Sequence, residues 1–247
     1  MKFIKSYLIK FNLLEAERNF LNDMDEEFKP IFEKCKDFTM TSVERMYSLY
    51  KAVEYVVNNN IKGDFVECGV WRGGSAMIIA HTLLKFGVKD RSIYLYDTFE
   101  GMSEPTAVDI DYKGDVAKSI LADNPNKVQD LVWCYSSVDE VKKNMYSTDF
   151  PSSQIYFIKG KVEDTLPNHL PSSICLLRLD TDWYESTKHE LEHLFPILEI
   201  NGVLIIDDYG CWKGSRKAVD EYFFETRSPI LLNRIDSTGR IALKLSK

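Results

Sequence analysis

The sequence lacks the patterns that mark zinc fingers, disulfide-rich proteins, membrane spans and nucleic-acid-binding surfaces. Its five cysteines are odd in number and scattered, with no CxxC pair, which excludes a disulfide framework and indicates reduced thiols in a cytoplasmic protein. No stretch approaches the ~20 apolar residues of a membrane span, and we find no clean signal peptide. The net charge of −7 argues against nucleic-acid and acidic-membrane partners, because both need a basic face.

What the sequence does have is an N-terminal helical part followed by alternating strands and helices. Apolar positions 3, 4, 7, 8, 11 and 14 fall on one helical face, and a second such pattern runs from Thr41 to Val57. We expect residues 1–60 to form a helical lid or oligomerisation segment. Residues 61–247 are long enough for one large α/β domain with a substantial core.

Five strand–helix alternations predict a doubly wound, mostly parallel sheet of Rossmann-like α/β class, with its last two strands forming an antiparallel edge hairpin. The predicted strands are Phe65–Cys68, Ser92–Tyr96, Ile155–Ile158, Ile174–Leu179, Val203–Ile206, Ile230–Ile235 and Arg240–Leu245. The predicted helices are Gly74–Phe86, Val138–Tyr146, Glu185–Leu198 and Ser215–Phe224. Residues 101–130 have no long periodic segment, which predicts either a lid or a mobile surface loop.

Two adjacent aspartates, Asp207 and Asp208, end the apolar strand at Val203–Ile206. Like charges at a strand tip repel each other and are costly unless a cation or strong donors meet them. Asp180 ends another apolar strand, so three carboxylates would meet at neighbouring strand tips. This clustering predicts a bound divalent cation, since hard cations take oxygen ligands. Asp182 and Glu185 have the alternative role of capping the following helix.

A glycine-containing loop follows the first predicted strand and opens a helix, with the sequence Glu67-Cys68-Gly69-Val70-Trp71-Arg72-Gly73-Gly74-Ser75. Glycines let the backbone approach a ligand closely, and the helix start offers free N–H groups. The loop is neither GxGxxG nor a phosphate loop. An acid at the strand tip would repel a pyrophosphate and suits a cationic, amino-bearing ligand; the alternative is a tight turn with glycines for packing.

Further acids follow the next two strands. Asp97 ends the second strand, where an acid typically binds ribose hydroxyls, although it could instead be a turn residue. Glu163 and Asp164 follow the strand at Ile155–Ile158, where an adenine ring would rest and an acid could accept from its amino group. The alternative there is an exposed polar loop.

The histidines His189 and His193 satisfy the bare HExxH pattern of a zinc protease, with Glu190 between them. We reject that interpretation, because no third ligand is evident downstream. The helix also starts directly after the Asp180 strand tip, which places both histidines one to two turns from the expected site.

Together these motifs resemble the macrocin O-methyltransferase (TylF-type) family over roughly residues 38–235. The matching stretches are Thr39–Ser42, Gly63–Gly74, Tyr96–Met102, Leu177–Thr187, Asp207–Gly210 and Ser215–Asp220. The resemblance implies a class I methyltransferase domain over residues 61–247, with S-adenosylmethionine as donor. It implies Mg²⁺ held by Asp180, Asp207 and Asp208, with Asp180 also the general base. The donor-binding residues we expect are Met40, Glu67, Cys68, Gly69, Trp71, Gly73, Gly74, Ser75, Asp97, Thr98, Phe99, Glu163 and Asp164.

The family also suggests the acceptor and the assembly. Its characterised members methylate sugar hydroxyls of macrolide and aminocoumarin antibiotics, so we expect a sugar or glycoside acceptor and a homo-oligomer. Three alternatives stay open. A catechol-type Mg²⁺ phenol O-methyltransferase shares fold and metal, an NAD-dependent oxidoreductase is disfavoured by the missing GxGxxG, and a non-catalytic nucleotide-sugar-binding module would need no metal.

Overall fold

The computed structural model of the protein describes residues 23–246. The predicted apolar helical face at positions 3–14 lies outside these residues. The strands are β1 (Asp64–Cys68), β2 (Ile93–Asp97), β3 (Ile155–Lys159), β4 (Ile174–Leu179), β5 (Leu198–Ile206), β6 (Asn233–Arg234) and β7 (Arg240–Leu243). The α-helices are α1 (Lys29–Cys35), α2 (Val43–Asn58), α3 (Gly74–Lys85), α4 (Ala117–Asp123), α5 (Val138–Tyr146), α6 (Val162–Thr165), α7 (Tyr184–Leu194) and α8 (Lys213–Thr226).

The strands form one seven-stranded sheet in the order β3-β2-β1-β4-β5-β7-β6. Strands β1 to β5 are parallel, and β7 runs antiparallel to both β5 and β6. This strand order confirms the predicted doubly wound sheet with an antiparallel C-terminal edge. Because β1 to β5 are parallel, their carboxyl ends lie at one edge of the sheet, where such folds bind ligands.

Both faces of the sheet are covered, because alternate side chains of each strand point to opposite sides. Phe65 packs into the core that α1, α2 and α3 cover, whereas its neighbour Val66 packs into the core beneath α7 and α8. Ser42 caps the start of helix α2, since its hydroxyl accepts from the Arg45 amide. The helix then lays Met46, Leu49, Tyr50, Val53 and Val56 against the first core.

Four predicted elements extend past the C-terminal ends of the observed ones: the helices predicted to end at Phe86 and Leu198 end at Lys85 and Leu194, and the last two strands are shorter than predicted, with β7 ending at Leu243 rather than Leu245. Helix α7 ends at Leu194 rather than Leu198, because Pro196 lacks the N–H that an α-helix needs and its ring clashes with the preceding turn. A 3₁₀ turn at Phe195–Ile197 follows, and Leu198 already belongs to β5. The predicted strand Ile230–Ile235 pairs only over Asn233–Arg234.

The polar stretch 101–130 is more ordered than its composition suggested, since it contains α4. Ala117 and Leu121 of that helix pack against Trp183. Asp109 is fully buried, and its Oδ1 accepts from the Tyr184 amide at 2.8 Å, at the start of α7. The stretch is therefore anchored to the main domain next to the carboxyl ends of the strands. Within residues 23–246, every helix falls short of the length and apolar character that a bilayer crossing requires.

Candidate active site

A cavity of about 250 Å³ opens at the carboxyl ends of β1, β2, β4 and β5. The segment before α2 contributes to its wall through Phe38, Thr39, Met40 and Thr41. The structure brings most of the predicted site residues into this one wall, namely Met40, Glu67, Gly69, Trp71, Gly74, Ser75, Asp97, Thr98, Glu163, Asp180, Asp207 and Asp208. The other four, Cys68, Gly73, Phe99 and Asp164, lie outside the wall.

The glycines of the β1–α3 loop are needed for packing within the protein. Gly69 has φ +80°, and a Cβ there would lie 1.9 Å from the Asp180 carbonyl oxygen. A Cβ on Gly74 would lie 2.6 Å from the Phe38 carbonyl oxygen. These glycines bring the β1 loop against the β4 turn and the segment before α2, which closes the cavity around the loop. Packing within the protein is thus one reason for glycine at these two positions, and their role in close approach to a ligand stays a prediction, since both line the cavity.

Asp97 holds the β1–α3 loop in place. Its Oδ2 accepts from the amides of Val70 and Trp71 at 2.6 and 3.2 Å, and its Oδ1 accepts from the Phe99 amide at 2.6 Å. Burial raises the pKa of Asp97, although these amide hydrogen bonds act in the opposite direction. Asp97 thereby shapes the loop and presents its carboxylate to the cavity at the same time.

Arg178 is a buried cation that the sequence analysis did not assign. It lies directly opposite Glu67 in the β1–β4 register, and its side chain is 3 % exposed. Its guanidinium donates to Glu67 Oε1 at 2.6 Å, to Asp180 Oδ2 at 2.8 Å and to Asp207 Oδ1 at 2.6 Å. The sequence does contain a signal for this role: an arginine inside the apolar run Leu176–Leu179 indicates a buried charge, and a buried charge must be paired.

Glu67 keeps one oxygen free for a ligand. Oε1 binds Arg178, whereas the buried Oε2 has no hydrogen-bond partner among the described residues. Burial raises the pKa of Glu67 to about 7 despite the opposing charge of Arg178. An unpartnered buried acceptor in a cavity wall is costly, and a donor group on a ligand would relieve that cost.

The three predicted metal ligands are together. Ligand oxygens of Asp180, Asp207 and Asp208 all lie within 4.8 Å of one another. Burial, and then the charges of Asp207 and Asp208, raise the pKa of Asp180 well above its ordinary value, against the attraction of Arg178. Burial also raises the pKa of Asp208, with Asp182 and Asp207 adding to the effect. Such a cluster of buried oxygen ligands fits a hard divalent cation.

Arg45 is the second unassigned cation at this cluster. It reaches Asp207 Oδ2 from α2 and forms an ion pair with Asp236 at 2.9 Å. Asp236 also accepts from the Ser42 hydroxyl at 2.7 Å. Asp207 therefore has a guanidinium on each carboxylate oxygen, Arg178 on one and Arg45 on the other. The contact connects the N-terminal helical part and the turn before β7 to the carboxylate cluster.

Asp182 lies in the cavity wall and does not cap α7. Its Oδ1 accepts from the Trp212 indole at 2.6 Å, and its amide donates to Asp208 Oδ2 at 3.2 Å. Asp109 from the 101–130 stretch binds the first free amide of α7 instead. Glu185 does lie in the first turn of α7, as predicted. The capping role of Asp182 is thus wrong, because a distant loop occupies that position.

The histidines of the HExxH-like pattern are outside the cavity wall. His189 and His193 lie on α7 and, with Glu192, place ligand atoms within 4.8 Å of one another. Glu190, which a zinc protease would direct at its metal site, is instead fully buried. The pattern thus does not form part of the site at the strand ends.

Comparison with known proteins shows the family to which this chain is similar. The model of the family described as macrocin O-methyltransferase (TylF) matches residues 15–242. The demethyldecarbamoylnovobiocin O-methyltransferase of Streptomyces niveus is 35 % identical over 184 residues, which cover 74 % of this chain and 67 % of the relative. A tetracenomycin-C rhamnosyl 4'-O-methyltransferase of Streptomyces olivaceus is 33 % identical over 205 residues, covering 81 % and 73 %.

Among solved structures, the O-methyltransferase NovP superposes with a TM-score of 0.74 at 30 % identity, covering 85 % of this chain and 83 % of NovP. The calicheamicin methyltransferase CalS11 superposes with a TM-score of 0.63 at 17 % identity, covering 90 % and 94 %, which shows a shared fold. The family match spans most of the sequence, and the relatives agree with it. The chain therefore belongs to the macrocin O-methyltransferase (TylF) family and is a methyltransferase enzyme.

Proposed function

We propose that this enzyme transfers a methyl group from S-adenosylmethionine to a hydroxyl of a sugar or glycosylated small molecule, with Mg²⁺ at Asp180, Asp207 and Asp208. The single observation that carries the proposal is that one cavity joins the Glu67–Asp97 side to the carboxylate cluster. The relatives support it, since both are named O-methyltransferases and the name of the Streptomyces olivaceus enzyme specifies a compound that carries a rhamnosyl group.

The residues present fit a cationic donor with a ribose and an amino group. Glu67 offers its unpartnered Oε2, and Asp97 presents a carboxylate that the loop amides hold in a fixed orientation. Glu163, on α6, lies farther along the same wall, where it could accept from an adenine amino group. Negative side chains along the wall favour a positively charged sulfonium over a phosphate-bearing cofactor.

The residues also fit a divalent cation. Three carboxylates with ligand oxygens within 4.8 Å, two of which have a pKa raised chiefly by burial, form a site that a hard cation would stabilise. Mg²⁺, when bound, would act as a Lewis acid that favours loss of the acceptor's proton. The guanidiniums of Arg45 and Arg178 hold Asp207 in a fixed orientation.

The acceptor hydroxyl is a very weak acid, so the enzyme must remove its proton as the new bond forms. Asp180 takes that proton as general base, while Arg178 on its Oδ2 fixes the direction of the carboxylate. The hydroxyl oxygen forms a bond to the methyl carbon, and the carbon–sulfur bond breaks, leaving a neutral thioether. The cavity wall aligns oxygen, carbon and sulfur for this in-line transfer.

The test is mass spectrometry of a panel of sugars, glycosides and catechols incubated with enzyme, S-adenosylmethionine and Mg²⁺. We expect a gain of one methyl group on a sugar or glycoside, and loss of that product when a chelator removes the metal. Methylation of phenols alone would favour the catechol-type alternative. Product formation that persists in chelator would remove the metal from the proposal.

The N-terminal part and the assembly are also proposals. Residues 38–41 and Arg45 contribute to the cavity wall, which supports a lid role for the segment 1–60. We further propose a homo-oligomer and a cytoplasmic location. Light scattering of the purified chain measures its molar mass in solution and so tests the homo-oligomer directly.

A further inference from the structure

Glu190 is a buried acid that the proposed mechanism does not use. It lies on α7 and is 0 % exposed. Neither of its carboxyl oxygens has a hydrogen-bond partner of standard geometry among the residues described. A buried carboxyl without such partners opposes folding, and a hydrophobic side chain of similar volume would commonly be tolerated better. Its presence here therefore calls for a role other than stability.

Two groups face this carboxyl, one at the tip of β1 and one just after β4. The Thr181 hydroxyl and the Cys68 thiol both interact with it. Thr181 follows Asp180 at the tip of β4, and Cys68 follows Glu67 at the tip of β1. The Asp180 amide also donates to the Cys68 carbonyl at 2.8 Å, so the two strand tips are adjacent. Glu190 thus lies beneath both the β1 side of the cavity, which carries Glu67, and the β4 side, which carries Asp180.

The electrostatic surroundings favour the protonated acid. Burial raises the pKa of Glu190 well above its ordinary value, and the nearby charges of Glu163 and Asp208 add to that effect. A protonated carboxyl has a hydroxyl that donates and a carbonyl that accepts. It can therefore bind a hydroxyl on one side and a thiol on the other without a net charge.

We propose that Glu190 is a positioning residue, which fixes the separation between the donor-binding loop after β1 and the Asp180 turn after β4 by lying between Cys68 and Thr181. The proposal rests on the proposed function, because it assigns those two segments to donor and base. Small errors in the placement of reacting groups are costly to catalysis, which explains why a destabilising side chain would be kept here.

The test compares two substitutions that separate positioning from stability. Glu190→Gln keeps a carbonyl acceptor and has an NH2 group that can donate, so we expect near-normal affinity for S-adenosylhomocysteine in calorimetry and near-normal turnover. Glu190→Leu removes both and fills the space with apolar atoms. We expect it to unfold at the same or a higher temperature, yet to bind S-adenosylhomocysteine about tenfold more weakly and to turn over more slowly.

Thr82→Val is the matched control. Thr82 is equally buried, on α3, where its hydroxyl donates to the Ile78 carbonyl at 2.6 Å, and it lies outside the cavity wall. We expect this variant to bind S-adenosylhomocysteine normally. If Glu190→Leu does not fold, Cys68→Ala tests the same contact from β1. Because Cys68 lies outside the cavity wall, weaker binding of S-adenosylhomocysteine by this variant supports the proposal, and unchanged binding overturns it.

The outcomes distinguish failure of the proposed function from failure of the role proposed for Glu190. Wild-type enzyme that does not bind S-adenosylhomocysteine overturns the proposed function. Wild-type enzyme that binds it, with a folded Glu190→Leu variant of equal affinity and turnover, overturns the role of Glu190 alone. Equal losses in the Gln and Leu variants would also overturn that role, since only the Gln variant keeps the hydrogen-bonding groups.

Discussion

Asp207 accepts a hydrogen bond of 2.6 Å from Arg178 on the neighbouring strand, so a buried positive charge lies directly behind the carboxylate cluster. The same guanidinium also binds Glu67 on the other side. One buried arginine therefore binds both Glu67, on the side proposed to hold the methyl donor, and Asp207, in the carboxylate cluster proposed to hold the cation. This arrangement explains how so many acids can lie at adjacent strand tips, since each needs a partner once removed from water.

Replacing Arg178 by methionine should be strongly destabilising. The change leaves Glu67 and Asp207 without the guanidinium that binds both, and breaking a buried pair from one side typically costs about 3–5 kcal/mol. Urea unfolding of both proteins measures the difference in the free energy of unfolding. Arg178→Lys keeps the charge but not the fork-shaped set of donors, so we expect an intermediate loss. A methionine variant as stable as wild type would contradict the assigned role.

Asp180→Asn should keep the fold and nearly abolish turnover. The amide preserves the shape of the side chain but cannot accept the acceptor's proton, and loss of a general base typically lowers rates by about 10²–10⁴-fold. Methyl transfer to the best acceptor in the panel gives the rate, and circular dichroism checks the fold. Turnover within a few-fold of wild type would mean that another group takes the proton.

Gly69→Ala should destabilise the protein far more than Gly87→Ala. Both glycines have positive φ, +80° and +71°, so both variants carry the cost of a left-handed residue, about 1–2 kcal/mol. Only at Gly69 does the added Cβ meet a backbone atom, the Asp180 carbonyl oxygen at 1.9 Å, whereas nothing lies within 4 Å at Gly87. Thermal unfolding of the two variants isolates the clash. Equal losses would show that the β1 loop and the β4 turn are not closely packed.

Asp236 should contribute stability that disappears in acid. Burial opposes its ionisation, but hydrogen bonds from Ser42 and from the amides of Gly239 and Thr238 outweigh burial and lower its pKa to about 2. Because the folded value lies below the unfolded one, the contribution is complete above about pH 4 and is lost as pH falls toward 2. Asp236→Asn should therefore be less stable than wild type at neutral pH.

The comparison of these two proteins across pH provides the check. Urea unfolding at intervals between pH 6 and pH 2 should show a stability gap of at most about 2 kcal/mol that narrows through the acidic range. A gap that stays constant with pH would attribute the effect of the substitution to packing rather than to the charge.

Several features followed from local sequence alone. The apolar strand runs, their spacing and the acids that follow them predicted the sheet and the positions of Glu67, Asp97, Asp180, Asp207 and Asp208. These predictions succeed because the carboxyl ends of parallel strands must meet at one edge. The end of α7 does not follow from apolar periodicity, because apolar residues continue past Pro196, where the α-helix cannot.

The sequence by itself determined the kind of site, because the residue types and their strand-end positions are local properties of the chain. The tertiary structure decided which groups pair with the buried acids and the helix end at that site. Arg45 comes from α2, Arg178 from inside β4 and Asp109 from a polar loop, and no spacing in the sequence relates them to their partners. A buried charge must be paired with a group close to it in space. Which groups are close in space depends on how the helices and strands pack against one another.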